Sequence, residues 1–108
     1  NLRENLSHLL CFLQPVGDNA ELASAVCSWW NTGTSPYGND IATWDISLVD
    51  NFDGLFTGCP SFNAAGINQW SVSHVTSMDS TFFYVNGFNQ PLGNWDTRNV
   101  RNMASMVS

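Results

Sequence analysis

The chain has 108 residues, of which 44% are hydrophobic and 11% charged, and three Lys/Arg against nine Asp/Glu give a net charge of −6. This length suits one domain with its own core, and the acidic balance makes nucleic acid and anionic membrane surfaces poor partners. No apolar run approaches the roughly 18 residues that span a bilayer, so we predict no membrane insertion in this segment. The scarcity of charge, against about 25% in typical domains, favours a secreted or cell-surface protein.

The chain starts with a predicted amphipathic helix, which Pro15 and Gly17 end. Its leucines recur at the spacing of one helix face, and they are Leu2, Leu6, Leu9, Leu10 and Leu13. The helix contains the only N-x-[ST] sequon, Asn5-Leu6-Ser7. In a eukaryotic secretory route, Asn5 is therefore a candidate for N-glycosylation.

A second predicted helix begins where Asp18 is followed three residues later by Glu21, a spacing that resembles a capping box. Its apolar face consists of Leu22, Val26 and Trp29. Because the first unit of a stacked repeat exposes an apolar edge, we predict that residues 1–36 form an N-terminal helical cap.

The chain has three cysteines, Cys11, Cys27 and Cys59, and none has zinc-ligand spacing. Cys11 and Cys27 lie one on each predicted helix, so they are a candidate disulfide that staples the cap, worth about 3 kcal/mol. Cys59 is in register with Val85 of the next repeat, which favours a small buried core residue there.

Residues 37–108 consist of three similar units, 37–61, 62–87 and an incomplete 88–108. The clearest sign is a tryptophan at the same place in each unit, 26 and then 25 residues apart. Such repetition is typical of architectures in which neighbouring units share a core. The predicted repeat core consists of Ile41, Trp44, Ile46, Val49, Phe52, Phe56, Phe62, Ile67, Trp70, Val72, Val75, Met78, Phe82, Phe88, Leu92, Trp95, Val100 and Met103.

Within a unit the apolar spacing changes. Alternation across "WDI", "WSV" and "WDT" has the period of a short strand, and the interval of three from Val75 to Met78 has that of a helical turn. The predicted fold class is therefore an α/β repeat solenoid: a short right-handed coil stack of the leucine-rich-repeat kind, with one short strand and one short helix per repeat.

The pattern F-N-x-x-L-x-x-W-D-x-x-x-V-x-x-M-x-x-x-F resembles the BspA-like leucine-rich repeat, and "FNQPLGNWDTRNVRNM" matches it closely. The resemblance covers residues 21–108, with departures at Ser71, Thr97, Arg98 and Val107. That family occurs in bacterial surface proteins, mycoplasma lipoproteins and surface proteins of microbial eukaryotes. The resemblance implies a secreted or surface-displayed, non-catalytic protein that acts in adhesion or assembly.

The residues show no catalytic, cofactor-binding or metal site, and we predict that the protein is not an enzyme. Asp45 and Asp96 are one conceivable acid pair, but the equivalent position between them is Ser71, which favours a turn or strand-edge role. His8 and His74 have no partner at catalytic or metal spacing. Four aspartates, Asp40, Asp50, Asp53 and Asp79, would bind calcium weakly if they cluster, but they lack any tight calcium-loop spacing.

The last unit stops at Ser108 before it returns to its start, and an uncovered repeat edge promotes association. Either the chain is cut short there or another chain covers that edge, and a head-to-tail contact of this kind generates a fibre or surface layer. We therefore predict contact with further copies of the chain through the C-terminal repeat edge. The alternative is an adhesin-type module that recognises a host protein or a glycan, with other surface proteins as further partners. An enzyme with an unrecognised acid pair is the least favoured reading.

Overall fold

The computed structural model of the chain describes residues 14–105. The first predicted helix, the sequon at Asn5 and Cys11 therefore lie outside the described residues. Within the described part, helix α1 (Asn19–Thr32) is followed by two 3₁₀ helices, Ile41–Thr43 and Ala65–Gln69. No helix in residues 14–105 has the length and apolar character needed to cross a membrane.

Helix α1 begins and ends as local chemistry dictates. The Asp18 carboxylate accepts a hydrogen bond from the N–H of Glu21 at 2.9 Å, and the Glu21 carboxylate accepts one from the N–H of Gly17 at 2.8 Å. These bonds satisfy backbone donors that an isolated helix end leaves unpaired. The helix ends at Gly33, whose φ of 79° suits a residue without a Cβ.

The three repeats lie side by side and run in the same direction. Asn51 forms a parallel bridge with Ser77, and Ser77 forms another with Asn102. These residues are 26 and 25 positions apart, so the bridges join equivalent places in successive repeats. The N–H of Phe52 donates to the carbonyl oxygen of Ser77 at 2.8 Å, and Met78 donates to Asn102 at 2.8 Å. We call this line of bonds the ladder.

The predicted α/β repeat solenoid of one strand and one helix per repeat is wrong. No residue in 14–105 belongs to a β-strand, and the single α-helix of this part precedes the repeats. The bridges between repeats are isolated. Each repeat is instead built from turns, with a 3₁₀ helix in the first two.

The apolar interval of three has a different cause from the one predicted. Successive turns place a hydrogen bond between residues three apart, as from Val49 to Ile46, from Leu55 to Phe52 and from Cys59 to Phe56. A chain of such turns returns an inward residue about every three positions, as a helix does. The strand-like alternation of "WDI" also does not lie where neighbouring repeats pair. The bridge to the next repeat is formed by Asn51, five residues after the end of "WDI".

Aromatic side chains fill the space between the repeats. Phe56 lies 4.5 Å from Phe62 and 4.9 Å from Phe82, measured between ring centroids, and the rings are nearly parallel. Phe82 in turn lies 4.5 Å from Phe88. Such stacked pairs add about 0.5–1.5 kcal/mol beyond the area that they bury. The stack therefore runs through all three repeats.

The tryptophans are held by a bond that recurs from one repeat to the next. The indole N–H of Trp70 donates to the carbonyl oxygen of Ile41 at 2.8 Å, and that of Trp95 donates to Ile67 at 2.8 Å. Each indole thus reaches back to the same position of the preceding repeat. Its polar group is satisfied while its ring packs in the core.

The disulfide joins Cys27 of α1 to Cys59 of the first repeat. The predicted pair of Cys11 and Cys27 is therefore not formed. Cys59 is buried as expected, but it lies under the face of α1 that carries Cys27. The bond fastens α1 to the repeats rather than one cap helix to another.

Candidate functional site

The predicted core residues differ in burial according to their repeat. Thirteen are buried: Ile41, Trp44, Ile46, Val49, Phe52, Phe56, Phe62, Ile67, Trp70, Val72, Val75, Met78 and Phe82. Four of the third repeat, Phe88, Leu92, Trp95 and Val100, are partly buried. Met103 is 44% exposed, which contradicts its assignment to the core.

Four of these side chains form the third-repeat face, which we define as Leu92, Trp95, Val100 and Met103. Their equivalents in the first two repeats are buried. Phe52 and Met78, for example, are both 0% exposed, against 44% for Met103. Each repeat therefore relies on the next to cover its apolar side chains, and residues 14–105 supply no such cover for the third.

Backbone groups at the same edge also lack a partner in the described part of the chain. In the second repeat, the N–H groups of Met78 and Ser80 donate to carbonyl oxygens of the third repeat. The equivalent donors of the third repeat are Met103 and Ser105, and neither has an acceptor within residues 14–105. The third-repeat face thus combines apolar side chains with pairing-competent backbone.

Charge is distributed unevenly between the two ends of the described chain. Residues 14–61 contain no Lys or Arg, whereas the third repeat carries Arg98 and Arg101. The acidic residues of 14–61 are Asp18, Glu21, Asp40, Asp45, Asp50 and Asp53. The edge near the third-repeat face is therefore the least acidic part.

Asp45 lies at a cavity of about 150 Å³ that is also lined by Ser71 and His74. Its carboxylate accepts a hydrogen bond from the N–H of Ser47 at 3.0 Å. Hydrogen bonds from Ser47, and to a smaller extent the charge of His74, lower the pKa of Asp45. The Nε2 of His74 donates to the carbonyl oxygen of Ile46 at 3.0 Å, so this nitrogen is engaged in packing the first two repeats together.

Asp96 occupies the equivalent place in the third repeat but has a different partner. Arg98 lies 2.9 Å from its carboxylate, and hydrogen bonds from Arg98 lower the pKa of Asp96. No contact joins Asp96 to Asp45 in residues 14–105. Each carboxylate closes a local turn, the role that the sequence favours.

Of the four aspartates considered for calcium, Asp40 and Asp53 accept hydrogen bonds from backbone N–H groups through their carboxylates. The carboxylate of Asp40 accepts from the N–H of Ala42 at 3.1 Å and starts the first 3₁₀ helix. That of Asp53 accepts from the hydroxyl of Ser77 at 2.5 Å and from the N–H of Asp79 at 2.8 Å. Among residues 14–105 no group of three or more His, Cys, Asp and Glu could hold a metal ion.

A groove of about 490 Å³ runs between α1 and the segment around Tyr37. Its lining includes Glu21, Ser24, Ser28 and Pro36. Burial, followed by the neighbouring carboxylate of Glu21, raises the pKa of Tyr37. The groove thus offers one aromatic ring among small polar side chains.

Sequence reasoning gave Asn19 no role and considered Asp53 only for calcium, although the side chains of both contact the ladder. The Asn19 side-chain amide donates to the carbonyl oxygens of Asn51 at 2.9 Å and Asp53 at 3.2 Å. The Asn19 contacts join residues 32 and 34 positions apart, and the contact of Asp53 with Ser77 joins residues 24 positions apart. No local sequence motif therefore indicates them. Only the alignment of the repeats, read together with the position of α1, would have found them.

The fold and the third-repeat face define a class: a small repeat domain, fastened to one helix by a disulfide, whose units rely on each other for their core. A family model described as "Mycoplasma protein of unknown function, DUF285" matches residues 24–108. The chain belongs to this family. Neither a search of curated proteins nor a search of solved structures returned a match.

Proposed function

We propose that the protein is a non-catalytic extracellular protein that acts through protein–protein contacts, with head-to-tail self-association through the third-repeat face. The observation that carries the proposal is the exposure of that face. Side chains that are buried in two repeats are partly exposed in the third, with Met103 the most exposed of the face at 44%, and exposed apolar groups of this kind favour association. A fibre or surface layer is the product of such a contact when it repeats without closing.

The charge distribution supports a head-to-tail arrangement. Two copies that meet by their third repeats would bring Arg98 and Arg101 against their own duplicates. A third repeat that meets the acidic 14–61 part of another copy brings opposite charges together. Complementary charge guides encounter and orientation more than it adds affinity, so the apolar face supplies the attraction and the charges set the direction.

Two features support a secreted or cell-surface location. The disulfide between Cys27 and Cys59 is of a kind that persists in oxidising compartments. The low share of charged residues fits the same setting. The resemblance to BspA-like repeats, whose family includes many surface proteins, points the same way and supports membership of that wider group.

The test uses the oligomeric state of the purified chain. Sedimentation velocity across a range of concentrations should show average masses that rise above the monomer as the concentration increases. Met103→Lys places a charge in the third-repeat face and should shift the distribution to monomer. Leu48→Lys is the matched control, because Leu48 is 59% exposed in the first repeat and the change in charge is the same.

Two results would contradict the proposal. One is a wild-type chain that stays monomeric at every concentration. The other is an equal response to both substitutions, which would mean that association does not depend on the third-repeat face. Circular dichroism of both variants, unchanged from wild type, ensures that the comparison is between folded proteins.

The second candidate is an adhesin-type module, and the groove beside α1 favours it. The apolar lining of the groove includes the Tyr37 ring, on which a sugar can stack, and the serine hydroxyls beside it can hydrogen-bond a glycan. A strictly monomeric protein that binds a glycan array, and loses this binding in Tyr37→Ala, would support this function instead. Glycosylation at Asn5 stays a prediction, and mass spectrometry of the peptide tests it.

A further inference from the structure

Along the ladder, backbone N–H groups of each repeat donate to the next repeat. One bond at the start of the ladder, from the N–H of Thr76 to the carbonyl oxygen of Asp50 at 2.8 Å, runs the other way. The N–H of Phe52 donates to the carbonyl oxygen of Ser77 at 2.8 Å, and the N–H of Gly54 donates to Asp79 at 2.9 Å. The same two donations recur from the second repeat to the third. The second repeat therefore receives two donors from the first at these places, and a third where the N–H of Phe56 donates to the carbonyl oxygen of Thr81 at 3.2 Å.

In the first repeat, the acceptors equivalent to Ser77 and Asp79 are the carbonyl oxygens of Asn51 and Asp53. No repeat precedes them in the described part of the chain. Both oxygens accept instead from the side-chain amide nitrogen of Asn19, at 2.9 and 3.2 Å. One side chain thus takes the place of two backbone donors.

Asn19 is held in this position by its surroundings. It is the first residue of α1, and Asp18 just before it caps the helix. The helix is fastened to the first repeat by the Cys27–Cys59 disulfide. The adjoining segment is paired as well, since the N–H of Val16 donates to the carbonyl oxygen of Asp45 at 2.9 Å.

We propose that Asn19 is an edge cap that closes the ladder on its first-repeat side. An unpaired edge is a template for pairing with another chain, and Asn19 occupies two of the acceptors through which such pairing would form. Contact between copies at this end is then made by side chains, and the ladder does not continue from one copy into the next. This second statement rests on the proposed function, whereas the capping role of Asn19 does not.

Thermal unfolding of Asn19→Ala tests the cap directly, with Asn31→Ala as the matched control. Asn31 is also an asparagine of α1, and it is exposed. Alanine is a better helix former than asparagine, so a purely helical role for Asn19 predicts that neither variant loses stability. If Asn19 caps the ladder, Asn19→Ala leaves two carbonyl groups without a donor and melts about 5 °C below Asn31→Ala. An Asn19→Ala protein that melts at or above the control overturns the inference.

Sedimentation of the same two variants tests the closure of the edge. Asn19→Ala frees the Asn51 and Asp53 carbonyl groups for another chain, so it should form larger species than Asn31→Ala at equal concentration. Equal distributions would overturn the edge-closing role. The melting comparison needs no self-association, so a failure of the proposed function and a failure of the cap give different results.

Discussion

A single carboxylate, that of Asp53, ties the first repeat to the second. It accepts from the Ser77 hydroxyl at 2.5 Å and from the Asp79 N–H at 2.8 Å, and it is partly buried. Its backbone also contributes, because its carbonyl oxygen accepts from Asn19. The residue therefore lies where α1 and two repeats meet.

We expect Asp53→Ala to lower the free energy of unfolding by about 1.5–3 kcal/mol, because hydrogen bonds to a charged group are lost and their donors are left without a partner. The control is Asp50→Ala, an exposed aspartate in the same segment, which should change stability by less than about 0.5 kcal/mol. Urea denaturation measures both. Equal losses in the two variants would mean that the carboxylate contacts contribute nothing specific.

Asp45 makes the stability of the protein depend on pH at the acidic end. Hydrogen bonds from Ser47, its largest influence, lower the pKa of Asp45 from the ordinary 3.8. A carboxylate whose pKa is lower in the folded state stabilises the fold above its unfolded pKa, and this contribution is lost as the pH falls through the folded pKa. Asp45 is exposed, so the effect is small.

The corresponding variant is Asp45→Asn. Its melting temperature should fall less than that of wild type between pH 6 and pH 2.5, since it has no carboxylate at this position to protonate. Asp50→Asn serves as the control and should follow the wild-type curve. A wild-type curve that coincides with that of Asp45→Asn throughout this range would contradict the assignment.

At the scale of elements, the sequence predicts the start of α1 correctly but not the structure of the repeats or the disulfide. Asp18 and Glu21 predict the start of α1 because a helix cap depends on residues three apart. The interval of three in the repeats misled, since it has the same period in a helix and in a chain of turns. The disulfide was also misassigned, because the approach of Cys27 to Cys59 depends on where α1 packs. Separation along the chain carries no such information.

Close approach of the second repeat to the first depends on glycine. A Cβ on Gly87 would lie 3.1 Å from the carbonyl oxygen of Ser61 and 3.3 Å from two further backbone atoms of that residue. Backbone cannot yield as the end of a flexible side chain does. The N–H of Gly87 also donates to the carbonyl oxygen of Pro60 at 3.2 Å, which holds the two segments together.

Gly87→Ala should therefore destabilise the fold by about 1–3 kcal/mol through overpacking. Gly93→Ala is the control, because an added Cβ there meets no atom within 4 Å. It should be neutral or slightly stabilising, as it restricts the unfolded chain. Chemical denaturation measures the free energy of unfolding of both variants. A Gly87→Ala protein as stable as Gly93→Ala would show that the repeats can move apart to accept the added Cβ.

On the scale of the whole molecule, burial declines from the first repeat to the third. The repeat columns predicted which side chains face inward, as the buried Trp44 and Trp70 illustrate. They did not predict the exposure of Met103. The repeat pattern shows which side chains face inward, but whether such a side chain is buried depends on whether another repeat packs over it. The third-repeat face was thus foreseen as an edge, but its composition became apparent only from the structure.

The decline in burial predicts that local stability also declines from the first repeat to the third. Two pairs of amides in the ladder allow this to be tested. The Phe52 and Gly54 amides donate to the second repeat at 2.8 and 2.9 Å, and the Met78 and Ser80 amides donate to the third at the same distances. The bonds have equal lengths, so a difference in protection reports how readily each accepting repeat opens. The third repeat buries less apolar surface and should open at a lower free energy.

Amide hydrogen exchange followed by NMR should show the Met78 and Ser80 amides exchanging at least about 10-fold faster than those of Phe52 and Gly54, the ratio that 1.4 kcal/mol of local stability produces. The experiment is best made on Met103→Lys at low concentration, where association through the third-repeat face cannot protect the last repeat. In wild type at high concentration, the proposed contact should slow exchange at Met78 and Ser80 and leave the earlier pair unchanged. Equal protection of all four amides in the monomer would mean that the repeats unfold as one unit. The exposure of the third-repeat face would then have no consequence for the cohesion of the molecule.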